Sequence, residues 1–335
     1  MVNREFLSIV AKLSESSNIL VVGHIMPDGD DISSVLSAKI GLERLGKNVL
    51  AGIDWRIPWY FYEFEEVNQI LTYEQVKERG FRPEVVLIVD ASSPDRVGQF
   101  QEFFDSTTVL LMDHHATNTL FGDHNWVDTK FGSTAQMVVR VNNELGVPYD
   151  EKLATLNLMG IATDTGFFRY SNADETVFSD ATKLVSLGGK VHLVSRIFEN
   201  KRIEQFKLLS TMVNHLKLEL DDKVAYSYLS KEDYESNNCN EDDSGGFVGE
   251  LRSLRGVELA IFLSEYDSGE VHISFRSKDW FDCSKLATML GGGGHPRAAG
   301  CTIKGDLYVI VEEVIREAKN LFLASLNSLT DSMSK

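Results

Sequence analysis

Hydrophobic residues in the first third of the chain form short, nearly continuous runs, separated by stretches with helical spacing. Helices are predicted near 32–45 and 61–78, and strands at 19–24, 48–53, 85–90 and 108–113. Runs that do not alternate with polar residues are typical of strands covered on both faces. The pattern therefore predicts an α/β fold, with a parallel sheet and helices on both of its faces.

The second half has a different order of elements. Two helical stretches at 176–189 and 196–216 come before an acidic, glycine-rich segment at 236–246 that predicts a loop. A smaller α/β unit is expected after it, with strands at 223–229, 256–265, 271–277 and 301–305 and helices at 284–290 and 306–324. The last residues, 327–335, are expected to be a frayed tail. We expect three parts: a domain at 1–188, a helical linker at 189–220 and a second domain at 221–330.

Acidic and histidine side chains follow the predicted strands. The first strand ends in His24, with Asp28 and Asp30 just beyond it, and another ends in Asp90. In parallel sheets ligands collect at the carboxyl ends of the strands, so these side chains are expected to meet in one cleft.

Two more segments carry the same kinds of donor. The last strand of the set ends in Asp113, His114 and His115, and Asp164 follows an apolar, helical run. Each group alone reads as well as a cap or turn residue, but separate segments supplying donors on one side of a sheet favour a shared site. Carboxylate and imidazole donors without thiolates suit Mn²⁺ or Mg²⁺ better than structural zinc. Two divalent ions sharing one carboxylate would offset the repulsion between the acids.

The loop HIMPDGDD brings several of these donors close together. Pro27 should stiffen the turn, and Gly29 should permit unusual backbone angles, so that Asp28 and Asp30 project around one point. The start of the following helix is a favourable place for a phosphate.

Composition narrows the range of functions. The 335 residues carry 50 acidic and 33 basic side chains, a net charge of -17, which argues against binding to long duplex nucleic acid. A phosphorylated substrate remains compatible if metal ions supply positive charge. The three cysteines form no CxxC pair and are expected to be reduced, and no apolar run approaches about 18 residues, the length of a membrane span. We therefore expect a cytoplasmic protein without a signal peptide or membrane span.

Four motifs in order resemble the DHH phosphoesterase superfamily: HIMPDGD, LIVDASSPDRVG, MDHHATN and GIATDTG. The segments SFRSK and GGGGHPRAAG in the second half resemble its DHHA1 subfamily. The combination is most similar to small standalone members, the nanoRNases or 3′-phosphoadenosine 5′-phosphate (pAp) phosphatases, and to cyclic-dinucleotide phosphodiesterases. One departure is Asp31, which stands where the family often has a small residue.

The resemblance implies a role for each donor. His24 and Asp28 would hold one metal, Asp90 would bridge, and the other metal would take Asp30, His114 and Asp164. Asp113 would orient the His114 ring, and His115 would stabilise charge or pass a proton, so Asp90, Asp113 and His115 are the expected catalytic residues. The implied cofactors are two Mn²⁺ ions, which Mg²⁺ or Co²⁺ can replace.

The second domain is expected to choose the substrate. Consecutive glycines let backbone N–H groups approach an anion, and arginine and histidine side chains add donors. The expected substrate-binding residues are Arg276, Ser277, Gly292, Gly293, Gly294, His295 and Arg297.

The leading functional expectation is a Mn²⁺-dependent phosphodiesterase that cuts short 5′-phosphorylated oligonucleotides, such as pApA, to mononucleotides. Cyclic di-AMP is a further candidate substrate. The alternatives are a pAp phosphatase, a pyrophosphatase and a non-catalytic nucleotide-binding module. The segment GGGGHPRAAG argues against a pyrophosphatase, because pyrophosphate has no base for it to hold. The resemblance also implies a homodimer; neither a membrane nor long duplex nucleic acid is an expected partner.

Overall fold

The computed structural model describes residues 4–266 and 269–333. The chain divides into two compact units, with the division between Asn200 and Lys201. Within the described ranges, none of the helices combines the length and apolar character needed to cross a membrane.

The first unit is built on a six-stranded parallel sheet in the order β3-β2-β1-β4-β5-β6. The strands, numbered along the chain, are β1 (Asn18–Val22), β2 (Asn48–Gly52), β3 (Ile70–Leu71), β4 (Val85–Val89), β5 (Thr108–Asp113) and β6 (His124–Val127). Because β1 and β4 are neighbours while the chain leaves them toward opposite edges, a crevice is expected at their carboxyl ends. The predicted α/β class is confirmed.

Helices cover both faces of this sheet. They are α1 (Arg4–Glu15), α2 (Gly29–Arg44), α3 (Tyr73–Glu78), α4 (Thr134–Glu144), α5 (Glu151–Asp164), α6 (Glu175–Ser186) and α7 (Val191–Glu199). Successive strand residues point to opposite faces, so Val21 packs in the core that includes residues of α1, α2, α4 and α5, whereas Leu20 packs with Val76 and Phe100. Burial on both faces explains why the strands read as continuous apolar runs.

The predicted helix at 61–78 is wrong. The chain there forms 3₁₀ turns at Trp59–Glu63 and Glu65–Gln69, then β3, and only then α3. The helix begins late because the Thr72 side chain accepts from Gln75 N–H while the Gln75 side chain accepts from Thr72 N–H, a capping box. The short edge strands β3 and β6 carry too few residues to show a pattern.

The second unit holds another six-stranded sheet, in the order β11-β12-β10-β9-β8-β7. All its pairs are antiparallel except β8 with β9. The strands are β7 (Lys217–Glu219), β8 (Val224–Leu229), β9 (Leu259–Glu265), β10 (Glu270–Ser277), β11 (Gly293–His295) and β12 (Ala298–Lys304). The helices are α8 (Ile203–Asn214), α9 (Lys231–Ser236), α10 (Phe247–Ser253), α11 (Cys283–Met289) and α12 (Leu307–Met333). One face packs on α11 and α12, the other on α8, α9 and α10.

Three expectations for this half need correction. The predicted helix at 196–216 is two helices, because α7 ends at Glu199 and the Gln205 side chain accepts from Arg202 N–H to start α8. The prediction of a frayed tail at 327–335 is wrong for residues up to Met333, since α12 continues to that residue. Residues 334–335 lie outside the described residues. The acidic segment at 236–246, expected to be a loop, contains a 3₁₀ turn at Glu241–Ser244.

Candidate metal centre

The loop between β1 and α2 and the first turn of α2 bring three donors, His24, Asp28 and Asp30, to the carboxyl ends of the strands. Asp28 caps α2, and its carboxylate accepts from the backbone N–H groups of Asp30 at 2.9 Å and Asp31 at 3.1 Å. These two N–H groups are therefore already engaged and do not serve the phosphate that was expected at the start of α2. Gly29 has ordinary helical geometry; it is needed because a Cβ there would lie 2.3 Å from Thr163 Cγ2.

Asp90 lies directly after β4 in the left-handed region, with φ of 60°, a conformation that aspartate tolerates better than most residues. Its side chain is buried, and Thr134 Oγ1 donates to its Oδ1 at 2.8 Å. Asp90 Oδ2 is 3.7 Å from His24 Nε2, and Oδ1 is 3.6 Å from His114 Nε2. Asp90 therefore stands between the two histidines.

The end of β5 supplies a tightly bonded trio. Asp113 is fully buried and accepts from His114 N–H at 2.8 Å, from Asn118 Nδ2 at 2.6 Å and from His115 Nδ1 at 2.7 Å. The His114 ring instead places Nδ1 3.2 Å from the carbonyl oxygen of Phe131. The expectation that Asp113 orients the His114 ring is wrong: Asp113 holds the His115 ring, and a main-chain carbonyl holds His114.

The remaining donor, Asp164, and the Asp30 already introduced both lie at helix ends. Asp164 ends α5, and its Oδ2 is 3.1 Å from His114 Nε2. Asp30 accepts from the first N–H groups of α4, those of Thr134 at 2.6 Å and Ala135 at 2.9 Å. The positive end of the α4 dipole thus faces a buried carboxylate, an arrangement that stabilises its charge.

The structure brings all six predicted donors together in two groups of three. His24, Asp28 and Asp90 offer atoms that all lie within 4.8 Å of one another, and so do Asp30, His114 and Asp164. This grouping matches the two ligand sets that the resemblance implied, with Asp90 beside both.

The electrostatics fit a cation. Burial, followed by neighbouring carboxylates, raises the pKa of Asp30 well above its ordinary value, and burial also raises that of Asp90. Burial alone would lower the pKa of His114, but Asp164 and Asp30 outweigh it and raise the pKa to about 10. In the described ranges no lysine or arginine forms an ion pair with the six donors. Oxygen and nitrogen donors that have no lysine or arginine paired with them therefore fit a hard or borderline divalent ion.

Three residues around the donors were missed by sequence reasoning. Thr134 bonds to both Asp30 and Asp90, and the buried Asp31 carboxylate accepts from His24 N–H at 2.9 Å. Arg96 places Nη2 3.0 Å from His24 Nδ1. The one available signal was position: Arg96 belongs to the segment that follows Asp90 and carries the family resemblance.

In the second unit, the predicted substrate residues lie on β10 and β11 or next to them, with Gly292 just before β11 and Arg297 in the turn between β11 and β12. His295 and Arg276 both pair in register with Ala298 of β12. Arg297 Nη1 donates to Phe281 O at 2.6 Å and lies 3.4 Å from Ser277 Oγ. Ser277 is fully buried and donates to Phe281 O, so in this structure it supports Arg297 and is not exposed to a ligand.

The glycines have separate reasons to be glycine. A Cβ on Gly292 would lie 2.1 Å from the carbonyl oxygen of Gly300. Gly294 has φ of 135°, and a Cβ there would lie 2.6 Å from Ala299 Cα. Gly293 pairs with Gly300 in the ladder. Close strand packing therefore accounts for Gly292 and Gly294 before any ligand is considered.

A parallel α/β sheet with carboxylate and imidazole donors at its strand ends, followed by a second α/β unit, is the architecture of a two-domain phosphoesterase of the DHH type. The DHH family, N-terminal domain, matches residues 18–161, and the DHHA1 domain matches residues 221–328. The chain belongs to the DHH/DHHA1 phosphoesterase family.

Curated relatives and a solved structure agree with this assignment. A bifunctional oligoribonuclease and PAP phosphatase from Thermus thermophilus is 33% identical over 89% of each chain. A protein of the same description from Bacillus subtilis is 26% identical, covering 88% of this chain and 92% of its own. The crystal structure of an exopolyphosphatase-related protein from Bacteroides fragilis superposes with a TM-score of 0.82 at 23% identity, covering 99% of this chain and 98% of that one. At that identity the structural likeness establishes the fold.

Proposed function

We propose that the protein is a metal-dependent hydrolase that cleaves short 5′-phosphorylated oligonucleotides, such as pApA, to mononucleotides. The observation that carries the proposal is the convergence of six donors from distant segments in two groups of three. The word oligoribonuclease in the descriptions of the relatives supports the substrate class.

The proposed ligand sets are His24, Asp28 and Asp90 for one ion and Asp30, His114 and Asp164 for the other, with Asp90 shared. We propose two Mn²⁺ ions, with Mg²⁺ or Co²⁺ as substitutes, because the donors are carboxylates and imidazoles. Such ions polarise phosphoryl oxygens and lower the pKa of water.

Asp113 and His115 are proposed to supply the proton that the leaving oxygen takes up. Asp113 accepts from His115 Nδ1 at 2.7 Å, which leaves Nε2 as the ring nitrogen that can exchange a proton with the substrate. Burial lowers the pKa of His115, but the Asp113 carboxylate outweighs it and raises that pKa overall. The protonated ring is thereby favoured, and it can donate to the leaving oxygen.

Substrate choice is proposed to rest on the second unit, where Arg276, His295 and Arg297 supply donors for the terminal nucleotide and its phosphate. The net charge of -17 favours short substrates, because a long strand would need an extended basic surface. We also propose a cytoplasmic homodimer. Free cysteines, two of them buried, support the reducing compartment, and the family resemblance supports the dimer.

Removal of the 3′-phosphate from pAp is proposed as a second activity of the same centre. The relatives' descriptions name a PAP phosphatase beside the oligoribonuclease. Both reactions break a bond between phosphorus and a ribose 3′-oxygen, so the same ligands and the same proton donor serve both.

A competition panel tests the proposal. Purified protein with Mn²⁺ is offered pApA, cyclic di-AMP, pAp, pyrophosphate and a single-stranded 20-mer, each also with a chelator. Turnover of pApA and pAp that the chelator abolishes, with poor digestion of the 20-mer, is the expected result. Efficient 20-mer digestion, preferred hydrolysis of pyrophosphate, or chelator-resistant turnover would contradict it.

A further inference from the structure

Arg96 is a cation placed beside the acidic centre. It lies in the 3₁₀ segment Pro94–Ser106 that follows β4, and its carbonyl oxygen accepts from Ile25 N–H at 2.6 Å. Its half-buried side chain places Nη2 3.0 Å from His24 Nδ1. The position is therefore fixed from both the main chain and the side chain, next to one proposed metal ligand.

The other half-buried arginines of the first unit are paired with acids. Arg44 and Arg140 each lie 2.6 Å from a carboxylate oxygen. For Arg96, by contrast, no carboxylate oxygen in the described ranges comes within 4.0 Å of the guanidinium, although the chain has 50 acidic residues. An arginine kept apart from acids beside a carboxylate-rich centre is suited to an anionic ligand.

The contact with His24 does not satisfy Arg96 once His24 acts as a ligand. A His24 ring that binds an ion through Nε2 carries its proton on Nδ1, and Ile25 O lies 2.8 Å from Nδ1 to accept it. Nδ1 then has no lone pair for Arg96, so the guanidinium N–H faces another donor. An acceptor from outside the protein would relieve this clash of donors.

We infer that Arg96 is a phosphate-binding residue of the first unit, which takes an oxygen of the phosphate group held at the metal centre. The inference rests on the proposed function and adds to it the residue that recognises the anion. The planar guanidinium can hold two phosphate oxygens at once, which a lysine cannot do with the same geometry. The competing explanation, that Arg96 only orients His24, would need the proton on Nε2, and that tautomer cannot ligate.

The test uses orthophosphate as the probe, so that binding is measured without turnover. Arg96→Gln and Arg96→Lys are compared with wild type and with Arg82→Gln. Arg82 is an exposed arginine just before β4, at the amino ends of the strands and therefore on the side opposite the metal centre. Calorimetry gives the Mn²⁺ affinity without phosphate, then the phosphate affinity at saturating Mn²⁺. Melting temperatures with chelator check that each variant is folded, and Arg96→Lys provides a folded variant should Arg96→Gln fail.

The expected result is a phosphate Kd raised about 10- to 100-fold in Arg96→Gln, less in Arg96→Lys and unchanged in Arg82→Gln. The Mn²⁺ Kd should stay within about twofold, since the Arg96 guanidinium meets His24 at Nδ1 and not at Nε2, the nitrogen proposed to bind the ion. Unchanged phosphate affinity in Arg96→Gln, or weakened Mn²⁺ binding with phosphate binding intact, would overturn the inference. Arg96-dependent phosphate binding in a protein that hydrolyses no nucleotide would refute the proposed function and leave the phosphate site standing.

Discussion

Replacing Asp90 with asparagine should stabilise the metal-free protein while removing its response to Mn²⁺. Asparagine adopts the left-handed conformation readily, which suits the φ of 60° at this position. Its side-chain oxygen can still accept from Thr134 Oγ1, which lies 2.8 Å from Asp90 Oδ1. The change therefore removes a negative charge with little effect on shape.

The sign of the effect follows from burial. Burial raises the pKa of Asp90 above its unfolded value, so its contribution to stability is complete below that unfolded pKa and is lost as pH rises through the folded pKa. Above its unfolded pKa the Asp90 side chain therefore destabilises the metal-free fold, because burial disfavours its charged form. Removing the charge should recover about 1–3 kcal/mol. For a unit of about 200 residues this corresponds to about 2–4 °C in Tm for each kcal/mol.

Metal binding reverses the ranking. Wild-type protein at a Mn²⁺ concentration of about 100 Kd should gain about 2.7 kcal/mol, whereas the variant, lacking the shared ligand, should gain almost nothing. Scanning calorimetry at pH 7.5, with chelator and with Mn²⁺, measures both effects. Asp105→Asn, which removes an exposed carboxylate after the same strand, is the control and should behave as wild type in both conditions. A metal-free Asp90→Asn that melts at or below wild type, or one that Mn²⁺ still stabilises, would refute the reasoning.

Three further outcomes are expected. Because its pKa is raised to about 10, protonated His114 stabilises the metal-free fold fully below pH 6.5, and this stabilisation is lost as pH rises through 10. Mn²⁺ must displace that proton, so calorimetry in two buffers should show proton release and a Mn²⁺ affinity that rises with pH. Mn²⁺ binding that does not depend on pH would contradict this. Arg276→Gln should raise KM for pApA about tenfold or more with kcat nearly unchanged, while the exposed Arg316→Gln leaves both unchanged; equal KM values would remove Arg276 from substrate binding. Gly292→Ala should destabilise the fold by about 3 kcal/mol or more, because its Cβ would meet a backbone oxygen. Gly249→Ala, inside α10 with open space around it, should leave Tm unchanged or slightly raised, and equal Tm values for the two variants would contradict the packing argument.

The six donors could be predicted from the sequence because a parallel sheet places the carboxyl ends of its strands side by side. Residues as distant in sequence as His24 and Asp164 meet because their strand and helix ends lie together at the carboxyl ends of the sheet's strands. The apolar runs fixed the strands, and burial on both faces is what made those runs continuous. The fold class and the convergence of donors therefore follow from local pattern and one topological rule.

The supporting contacts could not be predicted, because they depend on details of long-range packing. Whether Asp113 bonds to the ring of His114 or of His115 depends on ring rotamers, and the structure favours His115. Thr134 reaches Asp30 and Asp90 only because α4 starts against them, 44 residues beyond Asp90 in the chain. The buried Ser277 hydroxyl likewise donates to the main-chain oxygen of Phe281, a contact that no pattern in the sequence indicates.

Anomalous diffraction from crystals grown with Mn²⁺ tests the central claim most directly. The account predicts two peaks at the manganese edge, one among His24, Asp28 and Asp90 and the other among Asp30, His114 and Asp164. Crystals with saturating Mn²⁺ and no peak at these residues, or with peaks only elsewhere, would contradict it.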